Sequence, residues 1–352
     1  MAGRLPVAPG LTPTPQSTFE PAELAIILSH YEMGVIDSVQ PFRGGSRAAP
    51  KLAIRSDKGA FLLKRRAKGR DDPVKVACAH QIQRHLQQLG FPLPKLILTA
   101  RHHESLVQLD GRIYELFEFI KGDAYDSTPE AAADSGRTLA QLHRLLAGFV
   151  PNWTPPGGSY HKLPKIAETI TSLPSRMKRP SLEILAEFLR VEYLSAGERV
   201  ERAGFAQWPE QLIHGDWHPG NLLYKNSRVV GVFDYDTVRK QPRIIDIANG
   251  ALQFSMTHAG LDDPGKWPAH VDADRFRAYF RGYDSTRECV VSRAEVDALP
   301  WLMMEALIVE SVVPIATTGR FGVMDGEAFL RMVERKVRWL GANAMALVES
   351  IL

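Results

Sequence analysis

Cysteine is almost missing from this chain: Cys78 and Cys289 are the only two in 352 residues, and they stand far apart. They make neither a zinc-ligand set nor a disulfide framework, and point to a reducing compartment. A charge excess of one sign is missing too, since the net charge is +3. No global field therefore argues for nucleic acid or an anionic membrane as a partner. The one dense basic run, residues 64–70, is followed at once by Asp71 and Asp72 and reads as a solvated loop. Long apolar runs are absent as well. The most apolar stretch, residues 301–316, is interrupted by Glu305, Glu310 and Pro314, which argues against a bilayer span. Residues 1–18 are rich in Pro, Gly and Thr, lack an apolar signal core and read as a disordered leader. A soluble cytoplasmic protein is expected, and nothing in the sequence sets its oligomeric state.

What is present is ordinary globular material, 45% hydrophobic and 24% charged, long enough for two lobes. A helix is expected over residues 20–28, followed by strands at 35–42, 52–55 and 60–64. The Asp57-Lys58-Gly59 turn between the last two is a hairpin signal. Val74, Cys78, Ile82, Leu86 and Leu89 recur every three or four residues and end at Gly90, which predicts one long helix. Further strands are expected at 96–99, 105–109 and 113–120. After Gly122 the pattern turns helical, beginning with Thr128 as cap and Pro129 at the first position. The fold class is therefore α+β: a small antiparallel sheet with one long helix over residues 19–118, then a larger, mostly helical part over 119–352.

The chemistry concentrates at His214-Gly215-Asp216-Trp217-His218-Pro219-Gly220-Asn221, with Asp234 and Asp236 after an intervening hairpin. Phosphoryl transfer to an alcohol needs positioning, charge neutralisation by Mg²⁺ and a carboxylate that accepts the hydroxyl proton. Protein kinases set the base Asp five residues before a metal-binding Asn, with a second metal-binding Asp beyond a strand. Asp216, Asn221 and Asp234 keep that order. Together they make a phosphotransferase site the favoured reading.

The pattern His214, Gly215, Asp216, His218 and Asn221 resembles the aminoglycoside phosphotransferase/choline kinase superfamily, and its wording is similar to homoserine kinase-like and spore-coat kinase-like members. That resemblance covers most of the chain and implies a two-lobed protein kinase-like fold using ATP and Mg²⁺ on a small-molecule acceptor. It implies Asp216 as catalytic base, Asn221 and Asp234 as metal ligands, and Lys64 as the lysine on the α- and β-phosphates. It further implies Gly44, Gly45 and Ser46 (after Arg43) as the turn above the phosphates, and residues 118–120, with Glu118 and Ile120, as an adenine-gripping linker. Asp246 is implied as a brace for the catalytic loop. His214 reads as loop support, His218 as loop support or substrate contact, and Asp236 as structural or metal-proximal. One departure stands out. Such kinases pair the lysine with a glutamate of the following helix, but no acid occurs between Asp72 and Glu104. His80 or Gln81 could substitute, or the lysine could rely on Asp234 and the phosphates. Two other readings remain open: a zinc hydrolase using His214, Asp216 and His218, and a kinase fold kept as a binding module.

Overall fold

The structure is a computed structural model that describes residues 19–42, 44, 49–257, 263–286 and 290–352. Gly45 and Ser46, expected above the phosphates, lie outside the described residues, as does Arg43. The chain divides into two compact units: Met1–His80 with Pro94–Phe119, and Gln81–Leu93 with Ile120–Leu352.

The first unit is built on a five-stranded sheet. Helix α1 (Pro21–Leu28) leads into strands β1 (Ile36–Pro41), β2 (Lys51–Ser56) and β3 (Gly59–Arg65). Helix α2 (Pro73–Gln88), β4 (Val107–Leu109) and β5 (Arg112–Glu118) follow. The sheet order is β1-β2-β3-β5-β4, with every neighbouring pair antiparallel. The hairpin expected at Asp57-Lys58-Gly59 forms, with Ser56 opposite Gly59. Side chains alternate between faces along a strand, so the pairs Leu63↔Leu116 and Arg65↔Tyr114 share one face while Lys64↔Glu115 and Leu62↔Phe117 share the other. On the first face Leu63, Tyr114 and Leu116 form a core with Ile27 and Tyr31. Glu23 of α1 anchors that helix by accepting from Arg65 at 2.6 Å and from the Tyr114 hydroxyl.

The strand expected at residues 96–99 does not form; only Leu96 bridges to Phe117. The reason lies in the free edge of β5. Its first half is taken by β4, and the incoming segment reaches only Leu116 and Glu118 before turning away at Thr99.

The second unit is helical, with α3 (Pro129–Leu146), α4 (Ile166–Thr171), α5 (Leu173–Arg176), α6 (Glu183–Arg202), α7 (Ile244–Ser255), α8 (Ala273–Asp284), α9 (Arg293–Thr318) and α10 (Gly326–Glu349). Short two-stranded pieces pair β6 (Glu210–Ile213) with β9 (Arg239–Pro242), β7 (Leu222–Lys225) with β8 (Arg228–Val232), and β10 (Arg320–Phe321) with β11 (Met324–Asp325). Thr128 caps α3 by accepting from the Ala131 N–H, with Pro129 in the first turn, as the sequence predicts. Helices α3 and α8 pack backbone to backbone: a Cβ at Gly136 would stand 2.0 Å from the Tyr279 carbonyl oxygen, and one at Gly282 1.9 Å from that of Ala133. Helix α9 is long and apolar enough to cross a membrane, yet 78% of its most apolar window is buried within the fold. Its hydrophobicity is accounted for by the core it fills.

Candidate active site

In the first unit the expected nucleotide lysine is set by the sheet itself. Lys64 on β3 and Glu115 on β5 are directly opposed, and their side chains meet at 3.5 Å. Arg66, two residues beyond Lys64 and so on the same face, makes a two-pronged pair with Glu115 at 2.7 and 2.8 Å. From α2, His80 Nε2–H donates to the same carboxylate at 2.6 Å. Glu115 is fully buried. Burial by itself would push its carboxyl up, but Lys64, His80 and Arg66 more than reverse this and hold it well below the usual carboxylate range. The acid that the helix lacks is thus supplied by a strand. His80, one of the two substitutes the sequence offered, touches that acid rather than replacing it. The signal was legible in principle: Glu115 is a lone acid inside an otherwise apolar strand, and a buried carboxylate needs partners.

In the second unit β6 delivers the loop that carries Asp216. Its start is clamped by Asp246 of α7, whose two oxygens accept from the His214 N–H at 2.7 Å and the Gly215 N–H at 2.8 Å. Asp246 is itself held by His143 of α3, whose Nε2–H donates to it at 3.1 Å while Nδ1 accepts from the Tyr283 hydroxyl at 2.8 Å. Burial lowers the His143 pKa more than Asp246 raises it, which keeps the ring neutral for this role. Gly215 is needed on two counts: its φ is +78°, and a Cβ there would stand 2.4 Å from the Thr237 carbonyl oxygen. The His214 ring is wholly buried between Trp217 and Tyr235, and its Nε2–H donates to the Phe233 carbonyl at 3.0 Å.

Register then sets Asn221 beside Asp216 and fixes where Asp234 follows. β7 and β8 pair with Leu222 opposite Val232, across a two-residue turn in which Asn226 and Ser227 both have positive φ. One step further, the Phe233 N–H donates to the Asn221 carbonyl at 2.9 Å, so Asp234 is the next residue after Asn221's partner. The Asn221 side-chain amide donates to the Asp216 backbone oxygen at 2.9 Å and to Asp216 Oδ2 at 3.1 Å. Asp234 is exposed and sits in the left-handed region at φ 61°, a conformation that costs a non-glycine residue energy and collects at functional positions. His218 stands 3.5 Å from Asp216 Oδ2 through Nε2, while its Nδ1 accepts from the Gly220 N–H at 3.0 Å. Burial raises the Asp216 carboxyl, but His218, His214 and Asn221 outweigh it and leave the group below its ordinary value.

The remaining expected residues fall as follows. Gly44 lies in the loop after β1, where an added Cβ would stand 2.5 Å from the Phe42 ring. Glu118 ends β5, with its N–H committed to the Lys95 carbonyl at 2.8 Å, and Ile120 opens the second unit. Asp236 is exposed, in the single turn after Asp234. The zinc reading fails on geometry. The His214 ring is wholly buried with Nε2 spent on a backbone carbonyl, His218 Nδ1 is spent on Gly220, and among the described residues no group of His, Cys, Asp and Glu could hold a metal as a preformed set. Trp217 is fully buried and belongs to the core. Besides Glu115, sequence reasoning missed His143, whose histidine on the apolar face of α3 is a satisfied buried ring, and Glu310, an acid inside the apolar run of α9.

The chain matches the profile described as Phosphotransferase enzyme family over residues 38–289. It is 24% identical over 310 residues to the homoserine kinase of Xanthobacter autotrophicus, covering 82% of this chain and 83% of that protein. Among solved structures, an aminoglycoside phosphotransferase from Alicyclobacillus acidocaldarius superposes with a TM-score of 0.66 at 17% identity, covering 99% of this chain and 96% of that one. An amicoumacin kinase in complex with AMP-PNP, Ca²⁺ and its antibiotic gives 0.65 at 14% identity, covering 90% and 91%. The kinase-like α+β fold, the matched profile over more than half the sequence and the loop geometry agree: this chain belongs to the phosphotransferase enzyme family and is a small-molecule kinase.

Proposed function

We propose that the protein moves the γ-phosphoryl group of ATP to a hydroxyl of a small metabolite, with Mg²⁺ as the metal. The observation that carries this is the hairpin register that sets Asn221 and Asp234 in sequence beside the loop of Asp216. The donor set suits a hard divalent cation: Asn221 spends its N–H groups on Asp216 and leaves Oδ1 as an acceptor, and Asp234 offers an exposed carboxylate. When bound there, Mg²⁺ would neutralise charge on the phosphate oxygens.

The chain's own residues account for the rest. Asp216 is present as a carboxylate at neutral pH and accepts the proton of the attacking hydroxyl. A bond forms from that oxygen to the γ-phosphorus, the bond to the β–γ bridging oxygen breaks, and ADP leaves. Lys64, steadied by Glu115, takes the α- and β-phosphate charge. Support from a relative comes from the amicoumacin kinase, whose complex holds an ATP analogue and a divalent cation. The binding-module reading rested on the missing helix glutamate, and Glu115 removes that motive. The test is ADP release from Mg-ATP across a panel of small alcohols, amino alcohols and sugars. Turnover that depends on an acceptor and is lost in Asp216→Ala supports the reading; ATP consumption indifferent to both acceptor and Asp216 refutes it.

A further inference from the structure

Helix α3 reaches both parts of the site. Near its C-terminal end His143 holds Asp246, and through it the start of the loop that carries Asp216. Nine residues earlier, about 13 Å along the helix axis, Asp134 meets the other part, the β7–β8 hairpin. The helix is not free to slide between the two, because Gly136 packs backbone to backbone on α8.

The hairpin has an irregularity that its own strands do not place. Leu222 faces Val232 and Leu223 faces Gly231, but Tyr224 faces Val229, so Val230 is an extra residue on β8. Taking up that residue elsewhere would slide part of β8 by one position against β7, and a one-residue slip turns side chains to the opposite face. Asp234 lies just past the end of β8, next to Phe233, whose N–H donates to the Asn221 carbonyl. The register therefore decides how Asp234 stands relative to Asn221.

Two consecutive residues of α3 grip the hairpin at the irregularity itself. Asp134 is buried; its Oδ2 accepts from the Val229 N–H at 2.7 Å, and its Oδ1 accepts from Arg228 at 2.8 Å and from Arg137. Ser135 donates to the Ala131 carbonyl at 2.6 Å, so the Tyr224 hydroxyl, 2.7 Å from Ser135 Oγ, is the donor there. Val229 and Tyr224 are the two members of one cross-strand pair, each held from the same helix. The Tyr224 backbone also exchanges hydrogen bonds of 2.9 and 2.7 Å with Asp123. The bond from Val229 to the Asp134 carboxylate is charge-assisted and the stronger kind. The side chains of Arg137 and Arg228 are 43% and 66% exposed, where an ion pair contributes little.

We infer that Asp134 is a positioning residue for the divalent cation: it selects the β7–β8 register that sets Asp234 at its offset from Asn221. This rests on the kinase reading above, in which those two side chains hold the metal. Helix α3 then spaces the metal hairpin from the loop of the base, with Asp134 on one and His143 on the other.

Hydrogen exchange read by mass spectrometry, on the full chain without metal or nucleotide, tests the register. In Asp134→Ala, exchange over residues 221–234 should quicken roughly tenfold or more, as expected when a hydrogen bond to a charged group is lost. Exchange over residues 210–215, which Asp246 clamps separately, should match the wild type. Mn²⁺ titrated against the chain with ADP, followed by electron paramagnetic resonance, should bind roughly ten- to a hundredfold more weakly. The Mg²⁺ concentration for half-maximal turnover should rise by the same factor, while kcat at saturating Mg²⁺ stays within about threefold. Asp134→Asn, which can still turn an amide oxygen to the Val229 N–H, should keep most of the wild-type affinity. Tyr224→Phe removes only the hydroxyl bond to Ser135; it should move both readouts the same way by less, and it decides the matter if Asp134→Ala does not fold. Arg228→Ala should behave as wild type. Wild-type Mn²⁺ affinity in Asp134→Ala and Tyr224→Phe would overturn the inference alone. So would exchange that quickens evenly along the whole chain, the mark of a merely structural role. A wild type that binds no Mn²⁺ with ADP would overturn it together with the kinase reading.

Discussion

The two charged clusters of this enzyme are finished to different degrees. Around Glu115 the first unit closes its own accounts: a fully buried carboxylate is met by a lysine, an arginine and a histidine from the same unit. Around Asp216 the second unit leaves valences open, with an exposed Asp234 in a strained conformation, a partly exposed Asp216 and an orphan oxygen on Asn249. A cluster complete without ligand holds a side chain in place. An incomplete one has groups left to bind the metal and acceptor of the proposed reaction. On the proposed function, the same residue type, a carboxylate, serves positioning in one unit and chemistry in the other.

Substitutions can break this contrast. The largest effect on rate is expected at the incomplete cluster: Asp216→Asn should lower phosphoryl transfer by about 10²–10⁴-fold, the worth of a general base. Thermal stability should fall only slightly, because the lost carboxylate is one that His218, His214 and Asn221 hold below its ordinary pKa. The largest effect on stability is expected at the complete one. Glu115→Gln strands buried cations and should cost about 3–5 kcal/mol by denaturant melts. In whatever fraction folds, KM for Mg-ATP should rise more than kcat falls, since Lys64 loses its steady partner. If Glu115→Gln instead melts like the wild type, the first cluster is not self-sufficient.

The pH dependence sharpens the same point. The folded pKa of Glu115 lies below its unfolded value, so its stabilisation is present above about 4.5 and is lost as pH falls through the folded pKa. The stability gap between wild type and Glu115→Gln, followed by urea melts from pH 7 downward, should hold to about pH 4.5 and narrow below it. A gap that widens in acid would reverse the assigned sign. Gly215→Ala should then cost roughly 1–3 kcal/mol through the left-handed φ and the Thr237 carbonyl, and should reduce turnover as well, because the loop it displaces carries Asp216. The smallest effect is at Thr128→Ala, which removes a helix cap remote from both clusters; about 1 kcal/mol of stability should go, with kcat untouched.

How far the sequence reached follows the range of the interactions. The Asp57-Lys58-Gly59 turn, the Thr128-Pro129 cap and the helix at Pro73–Gln88 are local signals, and they were legible. The order Asp216, Asn221, Asp234 was legible for the same reason, since one hairpin links its members. Glu115 was not, because its pairing with Lys64 is a matter of strand register between β3 and β5, which lie more than forty residues apart in the sequence. The kinase pattern places such an acid in the following helix and so does not point to a strand. The strand expected at 96–99 failed through competition for one sheet edge, again a non-local matter. Glu310 was visible only as a break in an apolar run; its place beside Gln253 of α7 depends on helix packing.

The central claim is that Asp216 accepts a proton in a Mg-ATP-dependent transfer to a small acceptor. It is tested most directly by single-turnover transfer of the γ-phosphate of labelled ATP to the best acceptor of the panel, with wild type and Asp216→Asn compared at equal nucleotide occupancy. The account predicts that the variant binds Mg-ATP with affinity within about threefold of wild type and transfers at least about a hundredfold more slowly. Transfer by Asp216→Asn at the wild-type rate would contradict it.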